Sequence, residues 1–450
     1  MEFTPKNIVF DERVNDVFLI HDLISPTKSL HVTRNYGETF SPVSDYVKAF
    51  SLKVFPDHTK IYIQRFHPQE RNITTDESNV KDETGYLTTI LSSTNYFERH
   101  IDTEILYQNA IDFQIQGDYM FVTSESDDNG SKKKQLKISQ HGERFVPAVF
   151  DTDVSSTDMA NNQLEEIDYH IIDVTDDGEV MVVVNHGPIL SNLYISARIT
   201  PHEVKFVRSL ERVMFYNPKV TWKDSWLSNT AGDKPFADVY SVQGLRGVYI
   251  ANQIREDYYN DNKDKGISSS AITPENLISK ITFNQGGEWR EVLPPKYDED
   301  GHVLPCNRDT NSNCALHITQ HLSKKYPSTR SIPILSSKSA IGIVMATGNV
   351  GTSLAKKSNV YMSADAGLSW HQVLKGSYYF NVGDHGGVIV AVKYFKTEGK
   401  TNELFYSTNE GITWKSLIFY PEPLKIFGLL TEPGENTTVF TMFGTPSLTP

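Results

Sequence analysis

A short signature, Ser/Thr-x-Asp/Asn-x-Gly-x-x-aromatic, recurs along this chain of 450 residues and constrains its fold more than any other feature. The clearest copies are Ser363-Ala-Asp365-Ala-Gly367-Leu-Ser-Trp370 and Ser407-Thr-Asn409-Glu-Gly411-Ile-Thr-Trp414. Two close matches are Thr282-Phe-Asn284-Gln-Gly286-Gly-Glu-Trp289 and Thr33-Arg-Asn35-Tyr-Gly37-Glu-Thr-Phe40. Degraded copies near Ser93, Ser139 and Ser196 bring the number to seven. We call each copy a box.

The residue types in the box predict a tight turn inside a β-hairpin. The hydroxyl and the Asp or Asn side chain can accept hydrogen bonds from backbone N–H groups within the turn. Glycine adopts a positive φ at little steric cost. The aromatic residue can fold back and bury a large apolar face against the sheet. These roles are structural, and none of them needs a substrate.

An apolar run precedes each box, and its composition is typical of a strand covered on both faces. The seven runs are residues 17–20, 61–63, 119–122, 180–184, 248–251, 341–346 and 388–392. An eighth run, residues 438–443, starts another unit that has no box. A repeat of roughly 45 to 85 residues with about four short strands has the size of a propeller blade. We therefore predict an all-β fold, a β-propeller of about seven blades plus the start of another.

Composition excludes some classes of function. A net charge of −13 argues against a nucleic-acid surface, which needs clustered positive charge, and is compatible with cationic partners. No stretch is long and apolar enough to span a bilayer. Residues 1–6 lack a basic region followed by an apolar core, so no signal peptide is visible.

Two cysteines and three sequons bear on the compartment. Cys306 and Cys314 lie eight positions apart in one polar loop, where they form either a local disulfide or two free thiols. Asn-x-Ser/Thr sequons, which are common by chance, predict N-glycosylation at Asn72, Asn129 and Asn436.

Two long insertions interrupt the repeat. Residues 255–281 contain a densely charged stretch, which predicts a solvated loop. Residues 294–333 carry the cysteine pair and then residues 315–325, which could form a short helix. Insertions in repeat proteins often build the binding face.

Metal and cofactor chemistry has little support in the sequence. His317 and His321 are four positions apart and could share a helix face as ligands, but no third ligand is evident. Asn260, Asn262 and Asp264 alternate as in part of a calcium loop, yet Lys265 stands where Gly is needed and no Glu closes the loop. We predict no metal and no cofactor.

A glycoside hydrolase is the enzymatic alternative, because sialidases and other propeller glycosidases also carry boxes of this kind. A sialidase needs an acid/base carboxylate, a nucleophile and an arginine cluster. Its Arg-Ile-Pro string has only an imperfect counterpart here, Arg330-Ser-Ile-Pro333, late in the chain. A soluble propeller that acts as an assembly scaffold is a second alternative.

Six strings that occur in order between the boxes resemble the sortilin family of sorting receptors. They are Leu245-Arg-Gly-Val-Tyr-Ile250, Ile281-Thr-Phe-Asn-Gln-Gly-Gly-Glu-Trp289, Cys314-Ala-Leu-His317, Ala346-Thr-Gly-Asn-Val-Gly351, Asn381-Val-Gly-Asp-His-Gly-Gly-Val388 and Gly428-Leu-Leu-Thr-Glu-Pro-Gly434. The resemblance covers nearly the whole chain, residues 1–450, and implies part of a ten-bladed propeller around a wide tunnel. By comparison with the family, the first blades, signal peptide, cysteine-rich module, membrane helix and sorting tail are expected to be absent.

The resemblance implies a receptor rather than an enzyme. Members of the family bind peptides, propeptides and secreted proteins in the tunnel and carry them between Golgi, cell surface and endosomes. This implies a place in the lumen of the secretory pathway. The string Gly383-Asp384-His385-Gly386-Gly387 is dense in turn residues, which favours a hairpin or bulge; the alternative is that His385 titrates near a ligand.

The resemblance also implies four ligand-binding residues. A basic side chain that holds the C-terminal carboxylate of the peptide corresponds to Lys134, with Lys132 or Lys133 as substitutes if the register slips. The accompanying hydroxyl, aromatic and tyrosine positions correspond to Thr123, Phe121 and Tyr169. Lysine replaces the expected arginine, so a point-charge contact replaces bidentate capture. A solvated hairpin tip is the alternative interpretation of the lysine run.

Overall fold

The structure is a computed structural model of the whole chain, and thirteen stretches of it are described below. They are residues 7–22, 25–67, 87–98, 102–128, 131–151, 164–218, 220–222, 235–306, 308–309, 311–322, 334–355, 357–432 and 434–446. The chain divides into two compact units, the first comprising residues 1–151 and 196–206, and the second residues 152–195 and 207–450.

The first unit consists of short antiparallel strands in sequence order. They are β1 (Asn7–Phe10), β2 (Phe18–His21), β3 (Leu30–Thr33), β4 (Ser41–Ser44), β5 (Val47–Val54), β6 (Thr59–Phe66), β7 (Thr88–Ser93), β8 (Glu104–Gln116), β9 (Tyr119–Asp128), β10 (Ser131–Gln140) and β11 (Val146–Phe150). Strands β1 to β4 form one four-stranded sheet. Strands β5 to β11 are paired in sequence order within one larger sheet. In it, the first half of β8 pairs with β7 and the second half with β9, and Asn109, at φ 60°, lies where the two halves meet.

The second unit contains most of the remaining strands. They are β12 (Asp168–Val174), β13 (Val180–Gly187), β14 (Leu190–Ile199), β15 (Val204–Leu210), β16 (Phe215–Tyr216), β17 (Phe236–Ala237), β18 (Val239–Ser241), β19 (Tyr249–Ile254), β20 (Leu277–Thr282), β21 (Arg290–Glu291), β22 (Ala315–Ile318), β23 (Leu335–Ser336), β24 (Val344–Gly351), β25 (Asn359–Ser363), β26 (His371–Leu374), β27 (Tyr378–Gly383), β28 (Val388–Lys393), β29 (Glu403–Ser407), β30 (Lys415–Ile418), β31 (Lys425–Thr431) and β32 (Phe440–Thr445). Strands β14 and β15 include residues of both units.

Helices are few among the described residues. The α-helices are α1 (Glu256–Asn262) and α2 (Phe395–Glu398), and the 3₁₀ turns are Ser269–Ala271, Pro274–Asn276 and Asp384–Gly386. Helix α1 and two of the 3₁₀ turns lie in the insertion expected to be a solvated loop, so that expectation is wrong. Ser268 caps the first turn, and Thr273 and Asn276 form a capping box on the second.

The sheets follow the order predicted from the repeat. Each apolar run falls in or at the start of the second strand of a four-strand set, namely β2, β6, β9, β13, β19, β24 and β28. Each box follows the third strand and leads into the fourth, as between β25 and β26. Strands β13 and β19 are buried at six consecutive positions, as expected for strands covered on both faces. The predicted all-β propeller class is confirmed.

The four best boxes share one hydrogen-bond pattern. The first-position hydroxyl accepts the glycine N–H at 2.8–3.0 Å and donates to the Asn or Asp Oδ1 at 2.8–3.0 Å. That Oδ1 also accepts the N–H four residues after the Asn or Asp, at 2.8–3.0 Å. The residues in this pattern are Thr33, Asn35 and Gly37; Thr282, Asn284 and Gly286; Ser363, Asp365 and Gly367; and Ser407, Asn409 and Gly411. Each turn thus satisfies its own backbone donors.

The box at Ser93 keeps this pattern without glycine. The Ser93 hydroxyl donates to Asn95 Oδ1 at 2.7 Å and accepts the N–H of Phe97 at 3.1 Å. Phe97 stands at the glycine position with φ 62°. This copy is therefore degraded in sequence but keeps both hydrogen bonds of the hydroxyl, and it holds a phenylalanine in the left-handed region that usually favours glycine.

The box glycines of the second unit lie where the preceding sheet packs. A Cβ on Gly286 would stand 2.7 Å from Ser209 Oγ and 2.8 Å from Ile195, and one on Gly367 would stand 2.7 Å from Ile281. A Cβ on Gly411 would overlap Met362. The glycines therefore allow a turn with positive φ and also allow close contact between neighbouring sheets.

Candidate ligand-binding site

Three of the four predicted binding residues lie on one face of the first unit. In the β9–β10 ladder, Lys134 is opposite Glu125, Leu136 is opposite Thr123, and Ile138 is opposite Phe121. Because residues directly opposite each other share a face, as do residues two apart along a strand, all six side chains are on the same side of the sheet. Lys134 and Thr123 are therefore diagonal neighbours.

Burial changes along this face. Phe121 is 2% exposed and Thr123 is 7% exposed, whereas Lys134 is half-buried and Glu125 is exposed. Strand β9 is also paired on both edges, with β8 and with β10. An extended ligand cannot pair with the backbone of β9, so contact with this face has to be made at its exposed end, where Lys134 lies.

The register separates the neighbouring lysines. Lys133 is opposite Ser126 and so projects from the other face of the sheet from Lys134. Lys133 is exposed. The ladder therefore distinguishes Lys134 from Lys133 as a partner for Thr123.

Tyr169 belongs to the second unit. It lies on β12, opposite Val184 of β13, and its hydroxyl donates to Glu166 Oε2 at 2.6 Å. Among the described strands, β12 is at the end of its sheet, with β13 as its neighbour. An end strand offers backbone donors and acceptors to an added strand.

The segment that follows the disulfide is a strand and not a helix. Cys306 and Cys314 form the disulfide that the spacing allowed. Residues 315–318 are β22, which pairs with β24 so that His317 is opposite Asn349. The expected helix at residues 315–325 is therefore wrong at residues 315–318, whereas His321 and Leu322 are helical. A helix face shared by His317 and His321 is wrong for the same reason.

Both nitrogens of His317 already have partners. Nδ1 accepts the N–H of Ser279 at 3.1 Å, and Nε2 lies 3.1 Å from the carbonyl oxygen of Gly351. Burial, with Lys280 and Arg255 adding to it, lowers the pKa of His317 to about 4. Among the described residues no group of three His, Cys, Asp or Glu side chains could hold a metal ion.

A buried polar network surrounds this histidine and was not predicted from the sequence. Asn252 donates to Asp238 Oδ2 at 3.2 Å and accepts the Ser279 hydroxyl proton at 2.7 Å, and that hydroxyl accepts the N–H of Ile318 at 2.7 Å. Asp238 is fully buried, which raises its pKa. The one sequence signal was polar residues inside or beside the apolar strands β19 and β20.

The glycine-rich string before β28 forms a turn. Asp384, His385 and Gly386 have φ values of 50°, 54° and 95°. The N–H of Asp384 donates to Thr437 O at 3.0 Å, and that of His385 donates to Glu435 O at 3.1 Å. His385 is exposed. The string thus has the turn conformation that its composition indicates.

The remaining sequence candidates are distributed as follows. Asn436 is exposed, while Asn72, Asn129 and the string at residues 330–333 lie outside the described residues. Asn260 and Asn262 are in helix α1, which has no calcium-loop geometry. Helices α1 and α2 have seven and four residues, and no helix among the described residues has the length and apolar character that crossing a membrane requires.

The comparison with known families settles what kind of chain this is. The model of the Sortilin-Vps10 family (sortilin, neurotensin receptor 3) matches residues 1–429. The chain belongs to the Sortilin-Vps10 family. It is 35% identical over 449 residues to the sortilin-related receptor of Homo sapiens, across 98% of this chain and 18% of that protein. It is 26% identical over 424 residues to vacuolar protein sorting/targeting protein 10 of Debaryomyces hansenii, across 92% of this chain and 23% of that protein.

Other comparisons are weaker. An uncharacterized membrane glycoprotein of Saccharomyces cerevisiae is 25% identical over 455 residues, across 97% of this chain and 35% of that protein. The alignment with the β-propeller domain of the Trilobed protease from Pyrococcus furiosus covers 90% of this chain and 95% of that domain. Its TM-score of 0.32 and identity of 12% are too low to support an inference. This Sortilin-Vps10 chain spans about a fifth of the length of the sortilin-related receptors that it matches. Those relatives are sorting receptors and not enzymes, so the glycoside hydrolase alternative has no support among them.

Proposed function

We propose that this chain is the ligand-binding luminal part of a sorting receptor that binds peptides or propeptides of secreted proteins for transport between Golgi and endosomes. Membership of the Sortilin-Vps10 family supports the receptor class. In this proposal, the seven four-strand sets and the β31–β32 hairpin belong to a larger ligand-binding propeller. Secreted proteins are the partners, and the chain carries no catalytic residue.

The shared face of Lys134, Thr123 and Phe121 is the observation that carries the site. A peptide ends in a carboxylate, and Lys134 is a cation at the exposed end of an otherwise buried face. The ammonium group supplies a charge-assisted hydrogen bond to one carboxylate oxygen. Thr123 and Phe121 are buried behind it, so their role in this proposal is to shape and position the base of the contact.

Glu125 sets the strength of this contact. It is the residue directly opposite Lys134 and is exposed. Cross-strand pairs of opposite charge attract each other, typically by 0.2–1 kcal/mol. A ligand carboxylate therefore competes with the Glu125 carboxylate for Lys134, and removing the charge of Glu125 strengthens binding.

Tyr169 is a separate part of the proposal. Its strand β12 is a sheet end, which can pair with an extended segment through the backbone while side chains select among ligands. The Tyr169 hydroxyl already donates to Glu166, so its ring, rather than its hydroxyl, is the part offered to a ligand.

A matched pair of lysine variants tests the site. Fluorescence anisotropy measures binding of a dye-labelled, propeptide-like peptide with a free C-terminal carboxylate to the wild type, Lys134→Glu and Lys133→Glu. The two variants make the same charge change one residue apart, on opposite faces of β10. We expect Lys134→Glu to weaken binding at least about tenfold and Lys133→Glu to have little effect, because Lys134, unlike Lys133, shares the face of Thr123.

The possible results separate the site from the function. Equal affinities for wild type and Lys134→Glu remove Lys134 from the account and leave the receptor proposal standing. Absence of binding by wild type to any peptide of a propeptide panel favours the scaffold alternative.

A further inference from the structure

A segment after the disulfide, residues 314–322, is attached to the second unit by buried hydrogen bonds. Its strand β22 pairs with β24, and the N–H of Thr319 donates to Thr347 O at 2.8 Å. At its far end, the N–H of Leu322 donates to Asp238 Oδ1 at 3.2 Å. We call this stretch the β22 segment. Its side chains from Cys314 to Gln320 are buried throughout.

His317 joins the β22 segment to β20 in one protonation state only. The backbone N–H of Ser279 can only donate, so the Nδ1 that faces it at 3.1 Å has to be the unprotonated acceptor. Nε2 then carries the proton and donates to Gly351 O at 3.1 Å. The ring is 1% exposed, and no third position exists for an additional proton without losing one of these bonds.

We propose that His317 is a proton-operated catch: a proton on Nδ1 breaks the bond from Ser279 N–H and releases the β22 segment from β20. The loss extends to the neighbours, because the Ser279 hydroxyl accepts from Ile318 N–H and donates to Asn252. Protonation at one ring therefore disturbs several buried hydrogen bonds at once.

The charges that face the ring favour its neutral form. Lys280 on β20 and Arg255 just after β19 are both cations and add to the effect of burial. Neighbouring strand β24 carries no charged residue, and His317 is the one titratable group on β22. With the pKa lowered to about 4 when the segment is bound and an ordinary value near 6.5 when it is open, the opening constant rises about 20-fold between pH 7 and pH 5.

Asp238, which lies near His321 at the far end of the segment, acts on the same equilibrium. Burial raises the pKa of Asp238, so its proton is held more tightly while the segment is closed. Acid therefore favours closure at this end and opening at His317. The two effects have to be separated by variants that remove only the His317 proton site.

Hydrogen exchange at pH 7, 6 and 5, read by mass spectrometry and corrected for the intrinsic rates, tests the catch. The readout is protection of the backbone amides of the β22 segment. His317→Asn keeps an acceptor where Nδ1 lies, and His317→Gln keeps a donor where Nε2 lies, but neither side chain titrates. His371→Gln is the matched control, since His371 is exposed on β26 of the same sheet.

We expect acidification from pH 7 to pH 5 to speed exchange of the β22 segment about 20-fold more in wild type and His371→Gln than in both His317 variants, which retain the opposing effect of Asp238. The proposal is overturned if exchange in the wild type shows no such pH response. It is also overturned if the response is equally large in a His317 variant whose β24 amides are normally protected at pH 7. If the β24 amides are unprotected at pH 7 in both His317 variants, Lys280→Met provides the test instead. This variant keeps the imidazole ring and removes a facing cation, so the change in exchange between pH 7 and pH 5 should become smaller. An unchanged pH response overturns the proposal.

Discussion

Trp289 donates a hydrogen bond from its indole Nε1 to the hydroxyl oxygen of Ser209 at 2.9 Å, across from one sheet to the sheet before it. The same hydroxyl donates to the carbonyl oxygen of Gly286 at 2.6 Å. In the boxes of the next two sheets, Trp370 and Trp414 donate instead to their own glycine carbonyls at 3.1 Å. The box at Thr282 is therefore bonded directly to its neighbouring sheet.

This relationship predicts a coupled loss of stability. Ser209→Ala leaves the half-buried indole N–H of Trp289 without its partner, which costs about 1–3 kcal/mol. Trp289→Phe removes the donor, so Ser209→Ala should lower the free energy of unfolding less in that variant than in the wild type. A double-mutant cycle by urea denaturation measures the difference. Additive free energies for the two substitutions would show that the bond does not contribute.

Gly367 is predicted to tolerate no side chain. Alanine there has to adopt φ 93° and to place its Cβ 2.7 Å from Ile281 of the preceding sheet. We expect a loss of about 2–4 kcal/mol in the free energy of unfolding. Gly301→Ala is the control, because Gly301 has φ 83° but open space around it, so it loses only the backbone contribution. Equal losses in the two variants contradict a packing role for the box glycine.

The contribution of His317 to the stability of the second unit should fall with acid, whereas buried Asp238, whose pKa is raised, acts in the opposite direction. A histidine with a lowered folded pKa stabilises the fold fully above its unfolded value near 6.5, and this contribution is lost as pH falls towards the folded value. For His317, with a folded value of about 4, the loss between pH 7 and pH 5 is about 2 kcal/mol. Burial also lowers the pKa of His186, which acts in the same direction. Urea midpoints at the two pH values check this, and His317→Asn should reduce the difference.

The disulfide is predicted to stabilise the fold through a short loop. Cys306 and Cys314 are eight positions apart, and closing a loop of this length is worth about 2–3 kcal/mol in the chain-entropy model. Adding a reductant should lower the denaturation midpoint of the wild type. The Cys306→Ala, Cys314→Ala double variant should start at the lower midpoint and not respond to reductant. A response in that variant would mean that the reductant acts elsewhere.

The repeat could be predicted from the sequence because local hydrogen bonds hold its turns. Thr33, Thr282, Ser363 and Ser407 bond within a few residues of themselves, so their boxes could be found and placed after the third strand of each set. The apolar runs predicted the second strands, because a strand buried on both faces has few polar positions. Fold class and strand order followed from these two signals.

The structural features that the sequence did not predict depend on tertiary contacts. Residues 315–318 have no strong preference, and pairing with β24 makes them a strand where a helix was expected. Phe97 holds a glycine conformation because Ser93 and Asn95 keep their bonds around it. The parallel pairing of Ala148 with Val204, between β11 and β15, has no sequence signal at all. The network around Asp238, Asn252 and Ser279 joins residues up to 84 positions apart, as in the bond from Leu322 N–H to Asp238.

The site was predictable only in part. The resemblance indicated Lys134 and Thr123, and the ladder register is what separates Lys134 from Lys133. Glu125 was not foreseen, because its position opposite Lys134 depends on that register. This position predicts that Glu125→Gln raises peptide affinity about two- to fivefold, measured by anisotropy, since it removes a competing carboxylate. Unchanged affinity would place the ligand away from Lys134.

The central claim is that this chain captures the carboxylate end of a peptide. The most direct measurement is titration of the wild-type chain with one propeptide-like peptide in two forms, with a free C-terminal carboxylate and with a C-terminal amide. The account predicts saturable binding of the free acid and at least about tenfold weaker binding of the amide, because Lys134 loses its anionic partner. Equal binding of the two forms, or binding of neither, contradicts it.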